Sequence, residues 1–499
     1  MLPRVMAKKL LAIDQGTTGS TAIVLTLEGE TLGKKTVEFE QHFPKPGWVE
    51  HDAEQIWNSV AESVQGALSA ARVAGTEIGA IGITNQRETT LLWDRQTGKP
   101  VHRAIVWQCR RTAPECDRLK AEGAEPAVRR KTGLVIDAYF SGTKIAWILD
   151  EVSGARARAD RGELAFGTID AFLVHRLTGG SVHATDVTNA SRTLLMDLEK
   201  LVWDDEMLRL FRVPASVLPK IVPSAGMIGT TRGVGFLPDG IPITGIAGDQ
   251  QAALFGQACF GEGDAKCTYG TGAFALMNIG ATPTASKHGL ITTVAWQLGG
   301  KTTYALEGSA FIAGAAVQWL RDGLGLIKTA ADIEALARKV ESSEGVAFVP
   351  ALAGLGAPYW DQNARGTITG ITRGTTAAHL ARATIEGIAF QVWDLLEAMT
   401  KDAGRSLNGL KVDGGAAKND LLVQFQADVG DVVVVRPTEI ESTGRGAAML
   451  AGVGAGLSDL AAATKMVKLD RTFKTTIDPA TRAAHLRRWR QAIEQTRSR

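Results

Sequence analysis

The sequence is poor in the residues that mark metal and disulfide chemistry. Its 499 residues include four cysteines, Cys109, Cys116, Cys259 and Cys267, and no two stand as C-x-x-C. Its eight histidines form no ligand-spaced cluster. That excludes a thiolate or imidazole metal centre of the usual spacing, and buried free thiols are expected instead. No uncharged apolar run approaches about 18 residues, so no membrane-spanning helix is expected. The basic opening MLPRVMAKK leads into a strand pattern and not into the apolar run of a signal peptide. A net charge of +2 supplies no field to attract nucleic acid or an anionic membrane. The basic C-terminal stretch TRAAHLRRWRQAIEQTRSR reads as a solvated helix face with Trp489 turned inward. There is no low-complexity linker and no short-period repeat. The expectation is a cytoplasmic protein with no nucleic-acid partner and no membrane insertion.

Two nucleotide-binding fingerprints are also missing. AWQLGGKTT contains Gly-Lys-Thr, but Ala295 stands where a phosphate-binding P-loop needs glycine, so a hairpin turn is expected there. YGTGAFA fits a loose dinucleotide pattern, yet strand-like AFALMN follows where a helix is required.

What is present is an ordinary globular composition, 45% hydrophobic and 22% charged, in a 53.0 kDa chain too long for one core. Strand and helix patterns alternate, which predicts an α/β architecture. In LLAIDQGTTGSTAIVL (Leu10–Leu25) two apolar strands flank a turn of glycines and hydroxyls beside an acid, Asp14. Glycine frees such a turn to expose backbone N–H groups, a concavity that suits phosphate. A divalent cation would reconcile Asp14 with that anion, although a plain hairpin turn has the same composition. AKCTYGTGAFALMNIG (Ala265–Gly280) repeats the strand–turn–strand plan. Two halves, 1–256 and 257–499, each opening on a hairpin, would hold a phosphate chain between their tips. HDAEQIWNSVAESVQGALSAARVAG predicts a helix with Asp52 as N-cap and Gly75 as stop.

Other loops carry polar side chains at strand ends, where open α/β sheets keep their ligands. ITNQRETT sets Arg87 beside Glu88, a donor and an acceptor suited to a polyol, and equally the composition of a solvent-exposed ion pair. Trp107 in IVWQCRRT and Tyr139 in LVIDAYFSGTK read as core aromatics or as walls of a site. Asp249 in GIAGDQQAALFG is either a helix N-cap or a carboxylate placed to take a proton from a hydroxyl. VDGGAAKN would let a base or ribose approach the backbone at Gly414 and Gly415, or is simply a turn that needs glycine.

DQGTTGS, GITNQRETT, IVWQCRRT, YFSGTK, GIAGDQQAALFG, TYGTGAF, GLGAPYWDQNARG and VDGGAAKN follow one another over nearly the whole chain. Their order and spacing resemble the FGGY family of carbohydrate kinases, and QRETT with WQCRRT resembles its glycerol-phosphorylating branch. The resemblance implies two actin-like (ribonuclease-H-like) domains facing a nucleotide cleft, with ATP and Mg2+ as partners of the reaction. It implies glycerol as substrate, sn-glycerol 3-phosphate as product and a homodimer or homotetramer. Carried over, Arg87, Glu88, Tyr139, Asp249 and Gln250 hold the hydroxyls, and Trp107 and Phe274 pack on the carbon face. Asp249 is the general base and Asp14 the acid associated with the metal. Thr17, Thr18 and Gly19 form the first phosphate turn. Thr271, Gly314 and Gln318 make further phosphate and nucleotide contacts, and Gly415 and Asn419 the adenosine side. Thr21 stands where the family commonly has arginine, and Gly19 where it often has serine. TTRGVGFLPDGIP lacks the glycine-arginine loop by which some relatives bind an allosteric sugar bisphosphate. Two other readings fit parts of this pattern. One is a family kinase for another polyol or ketose. The other is an actin-like ATPase, which would have no use for the QRE loop together with GDQQ.

Overall fold

The computed structural model describes residues 8–498, so the opening MLPRVMA lies outside the described residues. Thirteen strands form one sheet. The first half supplies β1 (Lys9–Gln15), β2 (Gly19–Leu25), β3 (Thr31–Glu38), β4 (Ile78–Asn85), β5 (Ala225–Thr230) and β6 (Pro242–Gly248). The second supplies β7 (Asp264–Tyr269), β8 (Ala273–Gly280), β9 (Ile291–Leu298), β10 (Lys301–Ala310), β11 (Gly409–Asp413), β12 (Val434–Pro437) and β13 (Leu469–Phe473). Their order is β13-β12-β11-β7-β8-β10-β9-β5-β6-β4-β1-β2-β3.

The two halves repeat one plan. β1 and β2 form an antiparallel hairpin that β3 extends, while β4 and then β6 add parallel on the other side. β7 and β8 form the second hairpin, β10 extends it antiparallel, and β11 and β12 add parallel. Strands with parallel neighbours are buried on both faces and read as near-continuous apolar runs, as in Leu10–Ile13 of β1. The halves meet at one register pair, Ala225 of β5 with Leu298 of β9.

The helices follow local sequence signals. Helix α1 (Ala53–Ala71) starts as expected, with the Asp52 carboxylate accepting from the Glu54 and Gln55 amides. It stops earlier than Gly75: Arg72 takes the left-handed conformation (φ 56°) and the Val73 amide closes the end on the Leu68 carbonyl. Gly75 instead opens a short 3-10 turn. Further helices are α2 (Asp249–Gly256), α3 (Gly314–Asp322), α4 (Ala377–Ala403), α5 (Asp420–Gly430), α6 (Ser442–Gly454) and α7 (Pro479–Thr496). None among the described residues is long and apolar enough to cross a membrane. The turn at Gly299–Gly300, both at positive φ, joins β9 to β10, so the Gly-Lys-Thr stretch is a hairpin.

Helix α6 comes from the second half of the chain but lies against the first half's sheet and against α2. The approach is backbone on backbone. A methyl group on Gly446 would overlap the carbonyl of Ala252, and one on Gly256 the carbonyl of Ser442. Glycine at Gly82 and Gly245 lets β4 and β6 meet the same helix at Ala447 and Ala451. A core of Leu10, Ala12, Leu254, Phe255, Leu276 and Ala448, among others, therefore draws on both halves. In α7 the fully buried Trp489 stacks on Phe390 with centroids 5.1 Å apart. Its Nε1 donates to Asp394 Oδ2 at 2.8 Å, and the Tyr359 hydroxyl donates to the same oxygen at 3.0 Å.

Two predictions follow from this packing. Helix propensity alone would make Gly446→Ala stabilising by about 1 kcal/mol. The overlap with Ala252 reverses the sign, and a net loss of about 2 kcal/mol is expected as a lower urea midpoint. A raised midpoint would mean that the two helix backbones do not touch. Burial pushes the Asp394 carboxyl up to about 7. In the unfolded chain it titrates near 4, so from about pH 4 to 7 only the folded state keeps the proton and stability falls as pH rises. In Asp394→Asn the drop in urea midpoint between pH 5 and 7 should shrink. An undiminished drop would show Asp394 ionised in the fold.

Candidate functional site

The first hairpin turn is closed by the Gly16 amide on the Gly19 carbonyl at 2.9 Å. It is buttressed by amide side chains beneath it. Gln86 Nε2 donates to Gln15 Oε1 at 3.0 Å and to the Gly16 carbonyl at 3.2 Å, and Gln41 Nε2 donates to the Thr17 carbonyl at 3.0 Å. Thr18 is exposed, Thr17 and Gly19 half-buried. Thr21 shares a hydrogen bond with Thr36, its register partner on β3.

The second turn repeats this closure, with the Gly270 amide on the Gly272 carbonyl at 2.9 Å. It is also welded to the start of α3, since the Gly314 amide donates to the Gly270 carbonyl at 2.9 Å and the Ala315 amide to that of Thr271 at 3.1 Å. A methyl group on Gly314 would stand 2.6 Å from that Gly270 oxygen, so glycine is required there. Gln318 is one turn further along α3 and exposed. Gly414 (φ 84°) packs against the backbone of Tyr269 at the base of the same hairpin. Gly415 is exposed, and a methyl group on it would meet nothing within 4 Å. Asn419 proves to be the N-cap of α5, its Oδ1 accepting from the Leu422 amide at 2.9 Å. Thr271 and the start of α3 at Gly314 are thus joined directly at the second turn, and the Gly414–Gly415 turn packs at its base.

The reading of Arg87 and Glu88 as a solvent-exposed ion pair is overturned: both are buried, at 3% and 1% exposure. Glu88 sits at φ 60°, a costly backbone for a residue with a side chain and one often found at functional sites. Arg87 is the hub. Its Nη1 and Nη2 donate to the two oxygens of Glu307 at 2.7 and 2.8 Å, and its Nε lies 3.2 Å from Asp249 Oδ1. Nη1 also reaches Gln251 Oε1 at 3.2 Å, and Nη2 the Tyr139 hydroxyl at 3.3 Å. Arg192 donates from Nε to Glu88 at 2.6 Å and lies 3.2 Å from Glu307 through Nη2. Opposed charges pull Glu307 down to about 2 against its burial and hold Arg87 well above its usual range. Burial pushes the Glu88 carboxyl up, against the pull of Arg192 and Arg87.

Asp249 is not an N-cap. Gly248 occupies that position, and Asp249 opens the helix with its side chain 32% exposed beside Arg87. The Gly248 amide is fixed on the Thr188 hydroxyl at 2.9 Å. Gln250 accepts a hydrogen bond from the buried Lys266 through Oε1. Trp107, Tyr139 and Phe274 are half-buried, which fits a lining better than a core. Trp107 meets Tyr139 and Phe274 edge-on, with centroids 5.6 and 6.5 Å apart, and its Nε1 donates to Thr17 Oγ1 at 3.0 Å. One indole therefore links the first hairpin, the QRE loop's surroundings and the second hairpin's strand. Burial, then the Asp249 charge, pushes the Asp14 carboxyl up to about 7, and Lys34 only partly offsets this.

Sequence reasoning missed Glu307, Arg192, Gln251 and Lys266. Glu307 did leave a signal: it is a lone acid in the apolar strand YALEGSA, where an unpaired charge makes no sense. Lys144 was also missed. Fully buried, it donates to the Tyr139 carbonyl at 2.6 Å, and burial lowers its ammonium to about 8.

Residues 9–256 match the N-terminal domain of the FGGY family of carbohydrate kinases, and 265–455 match its C-terminal domain. The glycerol kinase of Myxococcus xanthus is 59% identical over 98% of this chain and 99% of its own. That of Deinococcus radiodurans is 57% identical over 98% of this chain and 97% of its own. The crystal structure of Plasmodium falciparum glycerol kinase with ADP superposes with a TM-score of 0.93 at 37% identity, covering 99% of both chains. With both halves matched in order and relatives alike over nearly the full length, this chain belongs to the FGGY family of carbohydrate kinases.

Proposed function

We propose that the protein transfers the terminal phosphoryl group of ATP to glycerol, giving sn-glycerol 3-phosphate. The observation that carries this reading is the buried Arg87 held between Glu88, Asp249 and Glu307 under an aromatic wall that touches both hairpins. The pattern is donor, acceptor and apolar face, which is what a short polyol presents. Curated glycerol kinases more than half identical over nearly the whole chain support the same reading.

In this reading Arg87, Glu88, Tyr139 and Gln250 bind hydroxyls, and Trp107 and Phe274 cover the carbons. Asp249 takes the proton from the attacking hydroxyl. Arg87 Nε, 3.2 Å from its Oδ1, orients the carboxylate for that role. Thr17, Thr18, Gly19 and Thr271 bind phosphate, while Gly314, Gln318, Gly415 and Asn419 line the nucleotide. The open space at Gly415 suits a flat group laid on the backbone. Phosphoryl transfer asks mainly for alignment and neutralisation, which two fixed hairpins provide. Asp14, whose carboxyl burial and then the Asp249 charge push up to about 7, would be the residue to hold magnesium. When bound, the ion supplies charge neutralisation for the phosphate oxygens. We place the division of the domains near residue 257. The single register pair between β5 and β9 makes a narrow seam, suited to closure that keeps water from competing with glycerol.

Two measurements test this. Across a panel of polyols and ketoses, ADP release should be strongest with glycerol, and the product should carry phosphate on a terminal carbon. Release indifferent to every acceptor would favour an ATPase, and preference for a longer sugar would move the substrate assignment. Asp249→Asn should cut turnover on the order of a hundredfold or more while ADP affinity, measured by calorimetry, stays near wild type. Near-normal turnover would remove Asp249 from the role of base.

A further inference from the structure

The acceptor pocket contains two guanidinium groups with almost no access to water, and their charge balance depends on one residue from the other half of the chain. Glu307 on β10 has a side-chain exposure of 0% and engages Arg87 through both oxygens. Its Oε1 also reaches Arg192, whose remaining Nη1 has no partner among the described residues. Glu88 is the second anion of the group, 2.6 Å from Arg192 and 3.8 Å from Arg87. Two buried guanidiniums are therefore faced by two buried carboxyl groups, and Asp249 lies at the open edge beside Arg87. Removing one member of such a set leaves an uncompensated charge in a place water cannot reach.

This balance bears on what can enter. A free buried guanidinium is an excellent receptor for a carboxylate, which it binds through two parallel N–H donors. Here that face of Arg87 is already filled by Glu307. An acceptor bearing its own carboxylate would find no free fork and would sit against Glu88 and Asp249, a like-charge contact.

We propose that Glu307 is a specificity-determining residue: by filling the fork of Arg87 it confines the acceptor site to uncharged polyols and shuts out the matching hydroxy acids. The proposal rests on the polyol reading of this pocket. Glu307 contacts no acceptor in this scheme. It acts through the geometry and charge of Arg87.

The test compares D-glycerate with its amide, glyceramide, which is nearly the same shape but uncharged. Calorimetric titration gives their affinities directly, so the comparison does not depend on turnover. Wild type should bind glyceramide about tenfold or more tighter than glycerate. Glu307→Gln should narrow or reverse that ratio by about tenfold and raise the KM for glycerol, with folding checked by thermal melting. Equal affinity for the two compounds in wild type would overturn the proposal. So would unchanged glycerate affinity in folded Glu307→Gln. Should that variant not fold, Glu307→Asp keeps the charge and must still exclude glycerate, and tighter glycerate binding there would overturn the proposal too. A wild type that binds glyceramide selectively yet never phosphorylates glycerol would refute the proposed reaction and leave the role of Glu307 standing.

Discussion

A guanidinium removed from water has to be met by anions of the protein itself, and for Arg87 those anions come from both halves of the chain. Glu88 follows it in sequence, Asp249 begins the helix after β6, and Glu307 reaches across from β10. The strength of this arrangement lies less in net stability than in fixity. Buried ion pairs gain little over apolar packing, but a broken one is costly, so the arrangement has few alternatives. The QRE loop is held at a set place relative to β10, the strand that leads into α3, whose first amides are bonded to the second hairpin turn. Chemistry that needs an acid, a hydroxyl and a phosphate in line depends on that fixity.

The rest of the architecture permits the arrangement. Two copies of one sheet plan put two hairpin turns at corresponding positions, each closed by a glycine amide on a glycine carbonyl. Helices α2 and α6 then lock the halves together by backbone contact, which side chains larger than hydrogen would prevent. The sheet seam itself is one residue pair wide. Beyond the seam the halves share a buried core and the Arg87–Glu307 pair, so their relative placement is fixed by packing and charge as well as by the sheet.

Much of this was legible in the sequence because it depends on local grammar. The alternating strand and helix patterns, the two Gly/Thr hairpins, the Asp52 cap and the buried cysteines all emerged as read. The Asp249 ambiguity was not resolvable from sequence, because N-cap and N1 differ by one residue of backbone geometry. The burial of Arg87 and Glu88 was invisible for a stronger reason: their partners Glu307 and Arg192 lie more than a hundred residues away. Neighbouring opposite charges look the same whether solvated or sealed. Helix α6 crossing to the first half's sheet likewise leaves no local trace beyond the glycines at Gly446 and Gly454.

The central claim is that one pocket, built on Arg87 and walled by aromatics from both halves, aligns an acceptor hydroxyl with a nucleotide held by two hairpins. A crystal structure with glycerol and ADP tests it most directly. Glycerol should lie against Trp107 with hydroxyls within hydrogen-bond reach of Arg87 and Asp249, and the ADP phosphates should point toward it from between the turns at Thr17 and Thr271. Glycerol bound elsewhere, or phosphates seated away from both turns, would contradict the account.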